Sequence, residues 1–126
     1  MNKMIGAITL GIALSSQITT VQAEVTEEIW VGSKIYGRAF GRGCGTCHDI
    51  SSNPNLMESI KKLSKDEFVT VMKEGRKGMP KAVEALLAVG PVKKAGYSED
   101  QAIDAIYNYL KGRADGSVPE KVKKPK

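Results

Sequence analysis

Residues 44–48 read Cys-Gly-Thr-Cys-His, and the chain has no other cysteine or histidine. Two thiols separated by two residues, followed at once by an imidazole, form the attachment sequence of a c-type haem. On a turn, each thiol can form a thioether with one of the haem's two vinyl groups. The next residue then sets an imidazole beneath the iron. Three other readings are open: a thioredoxin-like redox pair, half of a zinc site shared with a second chain, and chance adjacency. A thioredoxin fold needs a β-sheet, and no alternating strand pattern occurs anywhere in the chain. A zinc site lacks ligands, since this chain supplies only three. Haem is the favoured occupant.

On either side of the motif the chain reads as helices joined by loops. Residues 24–40 carry Ile29, Val31, Ile35, Tyr36 and Phe40 at helical spacing. Ser-Ser-Asn-Pro-Asn, 51–55, is turn chemistry, and Leu56–Leu63 is a short amphipathic piece. Ser64 with Glu67 and Ser98 with Gln101 form two capping boxes, each opening a helix. The first of these helices carries Phe68, Val69, Val71 and Met72 and stops at Gly75. The second carries Ala102, Ile103, Ala105, Ile106, Tyr109 and Leu110, with Gly112 as its expected stop. Lys81–Val89 is a further helix candidate that Gly90-Pro91 would end, and from Asp115 the chain is expected to be a loose basic tail. The fold class is all-α.

The N-terminus has the order of a secretory signal: Lys3, then an apolar run from Ile5 to Leu14, then Val21-Gln22-Ala23 with small residues at the cleavage positions. The apolar run is about half of the roughly 20 residues needed to span a bilayer, so no stable membrane anchor is expected. Three parts follow: 1–23 as a cleaved signal, 24–114 as the domain, and 115–126 as the tail. Export places the protein in the periplasm, where bacterial c-type haem attachment occurs. At 126 residues and a formal charge of +5, the composition is that of one ordinary globular domain. Two cysteines cannot hold an iron–sulfur cluster alone. The basic residues lack interleaved aromatics, so no nucleic-acid partner is expected.

A haem iron held by His48 needs a sixth ligand or an open site. Past the signal the candidates are Met57, Met72 and Met79. Met57 and Met72 lie among helical apolar residues, where methionine is core filler. Met79 sits in Gly78-Met79-Pro80, a loop with no apolar face to join. As a thioether ligand it would raise the reduction potential.

The order of these motifs resembles the class I, mitochondrial-type c cytochromes over about residues 28–112: a haem motif near the start, Met-Pro in the second half and a final helix ending in Tyr109-Leu110. The resemblance implies helices wrapped around one haem c bound through Cys44 and Cys47, with N- and C-terminal helices crossing. It implies that Gly37 and Phe40 are the small and aromatic pair at that crossing. It further implies that the Pro54 carbonyl orients His48 and that His48 and Met79 are the axial iron ligands. Residues 81–97 exceed what many short members carry between the methionine loop and the last helix. They would sit beside the distal haem edge.

With both axial positions filled, such a protein is a one-electron carrier, not an enzyme, and is expected to be monomeric. Lys73, Arg76 and Lys77 flank the methionine loop, with Lys61, Lys62, Lys81, Lys93 and Lys94 as further members of a rim facing an acidic redox partner. Residues 107–116 are similar to the C-terminal segment of cytochromes serving pyrroloquinoline-quinone alcohol dehydrogenases. That similarity implies such a donor, with a terminal oxidase or another cytochrome as acceptor. Two alternatives stay open: a five-coordinate haem protein binding small ligands, and a C-x-x-C thiol–disulfide oxidoreductase.

Overall fold

The computed structural model describes residues 25–126 together with Gly11, so the expected signal segment falls outside the described residues except at that glycine. Seven α-helices follow in order among the described residues: α1 Glu27–Arg38, α2 Gly45–His48, α3 Leu56–Lys62, α4 Lys65–Glu74, α5 Val83–Leu87, α6 Gly90–Ala95 and α7 Glu99–Asp115. Among the described residues the only β feature noted is an isolated bridge between Arg76 and Met79. The helical class agrees with the periodicity.

Helix α1 is shorter than its pattern suggested. Thr26 caps it by accepting from Ile29 N–H at 3.2 Å. It ends at Arg38, and a 3-10 turn, Ala39–Gly41, follows in which Phe40 takes φ 59° and ψ 19°. A bulky residue in the left-handed region costs about 1–2 kcal/mol, and the Phe40 ring is 45% exposed. Phe40→Gly relieves that strain and loses a half-buried ring. Its unfolding free energy by chemical denaturation should stay within about 1 kcal/mol of the parent's. Truncating the buried ring in Phe68→Ala should cost about 3 kcal/mol.

Both capping boxes form. Glu67 N–H donates to Ser64 Oγ at 3.1 Å and Ser64 N–H to Glu67 Oε2 at 2.9 Å. At the start of α7, Gln101 N–H donates to Ser98 Oγ at 3.3 Å and Ser98 N–H to Gln101 Oε1 at 2.9 Å. Two helix ends differ from expectation. Gly90-Pro91 does not terminate a helix; it opens α6, with proline in the first turn, where its missing N–H has no partner to lose. Helix α7 runs through Gly112 and stops at Gly116, which is left-handed at φ 84°.

The core forms where α1 crosses α7. Val31 and Ile35 of α1 are buried, as are Ala102, Ile103, Ala105, Ile106, Tyr109 and Leu110 of α7. The small residue at the crossing is Gly32, not Gly37 as the resemblance implied. A Cβ at Gly32 would lie 2.7 Å from Tyr109 Cβ and 2.8 Å from the Ala105 carbonyl carbon, while one at Gly37 would meet nothing within 4 Å. The aromatic partner is Tyr36, whose ring centre is 5.7 Å from that of Tyr109. The pair therefore sits four to five residues earlier in the chain than expected, because the turn at 39–41 separates α1 from the cysteine motif. Residues 81–97 extend the core with Leu86, Val89 and Val92.

The C-terminal stretch departs from the expected loose tail. Val118 is 3% exposed, and its side chain fills the space left by Gly112. Its N–H donates to Gly112 O at 3.0 Å. Arg113 Nη1 donates to Val118 O at 3.3 Å. Further on, the Lys124 ammonium lies 5.1 Å from the Trp30 ring centre, which brings the chain back to α1.

Candidate functional site

Cys44 stands at the N-terminus of α2 and Cys47 within it, both as free thiols. The short helix makes its own bonds: His48 N–H to Cys44 O at 3.0 Å and Asp49 N–H to Gly45 O at 2.8 Å. Contacts from outside the helix fix it. Cys44 N–H donates to Tyr36 O at 2.7 Å, joining the turn to α1. Asn53 Nδ2 donates to Cys47 O at 2.7 Å. Tyr36 O–H donates to Asp49 Oδ1 at 2.9 Å.

His48 Nδ1 lies 2.8 Å from Pro54 O. A carbonyl oxygen only accepts, so Nδ1 is the donor, and the tautomer this contact favours in the neutral ring carries its lone pair on Nε2, where a metal can take it. The loop at 49–55 makes this possible within six residues, with Asn55 capping α3 through bonds from Met57 and Glu58 N–H at 2.9 and 3.3 Å. Pro54, His48 and both cysteines thus come together in one unit.

Met79 comes from a separate element, the loop between α4 and α5. Gly75 ends α4 at φ 78°, and a Cβ there would lie 2.6 Å from Met79 O, so the loop closes this tightly only on glycine. Arg76 N–H donates to Met79 O at 3.1 Å and Met79 N–H to Arg76 O at 2.9 Å. Ala82 N–H returns to Met72 O at 2.8 Å, pinning the far end. The Met79 side chain is partly buried against the core. Met72 is 7% exposed within that core, and Met57 is also packed against it.

The donor set suits a haem. Among the described residues, no group of three or more His, Cys, Asp or Glu side chains gathers to hold a metal ion. A lone imidazole with its second nitrogen tied to a carbonyl is a sufficient proximal donor when a porphyrin supplies the four equatorial nitrogens. Two unpaired thiols on the same turn are the anchors such a group uses. Burial pushes the Cys44 thiol up to about 11. A thiol–disulfide exchanger needs the opposite displacement.

Two titrating side chains border this unit. Burial, followed by the hydrogen bond to Asp49, pushes the Tyr36 phenol well above its ordinary value. Burial also raises that of Tyr109. Of the cations expected at a rim, Lys73 pairs with Asp100 of α7 at 3.1 Å and Lys61 with Glu58 at 3.4 Å. Arg76 and Lys77, which open the turn leading to Met79, are exposed.

No family model matches the chain, and no solved structure matches it. The chain is 36% identical over 102 residues to "Cytochrome c-555" of Methylococcus capsulatus (strain ATCC 33009 / NCIMB 11132 / Bath), an alignment covering 77% of this chain and 72% of that relative. Identity at that level over more than two thirds of both chains, on an all-helical frame, shows common descent. The chain belongs to the class I c-type cytochromes, electron-transfer proteins that carry one covalently bound haem c.

Proposed function

We propose that the protein is an exported, periplasmic, monomeric one-electron carrier whose haem is attached through Cys44 and Cys47, with His48 and Met79 as axial ligands and Pro54 orienting His48. The single observation that carries this function is the 2.8 Å contact between His48 Nδ1 and Pro54 O, which leaves Nε2 free beside two thiols on one turn. When bound, haem supplies a ferric–ferrous couple. The chain's own residues do the rest. Cys44 and Cys47 hold the group, and Pro54 and Asn53 fix the turn. The Arg76–Met79 backbone pair fixes the loop from which Met79 would supply the second ligand. Two such side-chain ligands would leave no open position for a substrate, which suits a carrier and not a catalyst.

Exposed Arg76 and Lys77 favour an acidic partner and a salt-dependent association rate. The similarity of residues 107–116 supports a quinoprotein alcohol dehydrogenase as donor and a terminal oxidase or second cytochrome as acceptor. No helix among the described residues is long and apolar enough to cross a membrane.

Co-expression with haem-attachment machinery tests the assignment. The parent should show a low-spin visible spectrum and haem that stays with the polypeptide under denaturing conditions. The double replacement Cys44→Ser with Cys47→Ser should lose all covalent haem. A high-spin parent spectrum would overturn the carrier in favour of a five-coordinate ligand binder. Retention of covalent haem by the double variant would overturn the attachment sites.

A further inference from the structure

The bond between Tyr36 and Asp49 is not used by any step of electron carriage, yet it lies across the attachment turn. Tyr36 belongs to α1, and Asp49 follows His48 directly. Between them sits Gly45, the residue after the first cysteine. A Cβ at Gly45 would run into the Asp49 carboxylate, 3.2 Å from its Cγ, and would also come within 3.2 Å of the Tyr36 hydroxyl. The carboxylate–phenol pair is therefore seated on the backbone of α2 itself, and a side chain at the motif position it covers would push the carboxylate aside. A second tie runs parallel to it, from Cys44 N–H to Tyr36 O at 2.7 Å. One residue of α1 thus grips both ends of the turn, at Cys44 through its carbonyl and at Asp49 through its hydroxyl. Tyr36 is held in turn by its ring against Tyr109 of α7. Beside the pair is a groove of about 580 Å³, and Glu120, Lys121 and Val122 of the returning C-terminal stretch help to line it.

We propose that Tyr36 and Asp49 form a clasp that locks the attachment turn to α1 and holds in place the carboxylate of the residue that follows the iron's imidazole ligand, making both of them positioning residues that set turn rigidity and the ferric–ferrous balance. This rests on His48 binding the iron. A negative charge one residue along the chain from that ligand favours the more positive ferric state. Asp49 is exposed, so solvent weakens the effect without abolishing it.

Two variants of the haem-loaded protein separate the clasp's two functions. Asp49→Asn keeps an oxygen that can accept from Tyr36 O–H but removes the charge. Equilibrium redox titration should show the ferric form disfavoured by about threefold at a given ambient potential, with amide hydrogen exchange over residues 45–49 within a factor of about two of the parent. Tyr36→Phe keeps the ring on Tyr109 and the charge on Asp49 but removes the bond. Exchange over residues 45–49 should accelerate by about tenfold, while α7 amides stay as protected as in the parent. An unchanged redox balance in Asp49→Asn overturns the proposal, and so does unchanged exchange in Tyr36→Phe. The parent's own low-spin spectrum is read first, so failure of the His48 assignment registers there and is distinguishable from failure of the clasp.

Discussion

On the proposed His48 and Met79 ligation, Met79→Ala should turn a six-coordinate low-spin protein into one with an open iron position. The replacement removes the thioether and little else. The loop is set by backbone groups, namely the Arg76–Met79 pair at 3.1 and 2.9 Å and the tie from Ala82 N–H to Met72 O at 2.8 Å, and alanine keeps all three. Gly75 still supplies the positive φ at which the loop leaves α4. Met79 is only partly buried, so the stability cost should be about 1–2 kcal/mol, below the range for a fully buried methionine. The redox consequences are much larger. The weak far-red sulfur-to-iron band should disappear. The reduced protein should gain rapid carbon monoxide binding, and the reduction potential should fall, because methionine ligation is what raises it. Absorption spectra with carbon monoxide titration check all of this. A variant indistinguishable from the parent would remove Met79 from the iron. Met72 offers a poor substitute, since it is 7% exposed within the core.

Gly32→Val should have the largest effect on the fold. The α1–α7 crossing is the centre of the core, and Gly32 is where the two backbones meet. A Cβ at 32 would stand 2.7 Å from Tyr109 Cβ and 2.8 Å from the Ala105 carbonyl carbon. Neither neighbour is the free end of a flexible chain, so the helices must separate along their whole contact. Val31, Ile35, Ile103 and Ile106, all at most 2% exposed, would lose packing together. Overpacking of this kind costs about 3 kcal/mol. That is a large share of the roughly 5–15 kcal/mol that stabilises a domain, and it should lower the melting temperature by roughly 15 °C. Gly37→Ala is the matching control, because that position is open. Its helix propensity should improve by a few tenths of a kcal/mol to about 1 kcal/mol. Thermal melts of the two variants side by side check the assignment. Equal destabilisation by both would place the crossing elsewhere.

The two glycines show how far the chain alone could be read. Both lie in one helical pattern, and the helical period alone does not tell them apart. Counting back from the cysteines favours Gly37 and Phe40 only if the helix runs straight into the motif. The left-handed Phe40 and the turn at 39–41 break that count, and they become visible only when α7 is in place to choose a face. The G-x-x-x-Tyr spacing of Gly32 and Tyr36 was present in the sequence as the available signal. The tail is a similar case. By composition it cannot form a core of its own, yet Val118 is buried because Gly112, six residues earlier on α7, leaves space for it. At Pro91 the reason is local: Gly-Pro serves equally as a stop and as a first turn, and the burial of Val92 on the core decides between them.

What the sequence determined by itself is whatever depends on groups close together along the chain. Cys44, Cys47 and His48 share one helical turn, Pro54 is six residues beyond, and each capping box closes over three. Chain connectivity alone holds such groups within reach, so residue type and spacing suffice to read their chemistry. The tertiary structure decided what depends on two distant segments meeting: Gly32 against Ala105 and Tyr109, Val118 against Gly112, and Lys124 over Trp30. Those contacts follow from burying the apolar faces of α1 and α7 on each other, and a face is a property of the pair of helices that no single stretch of sequence carries.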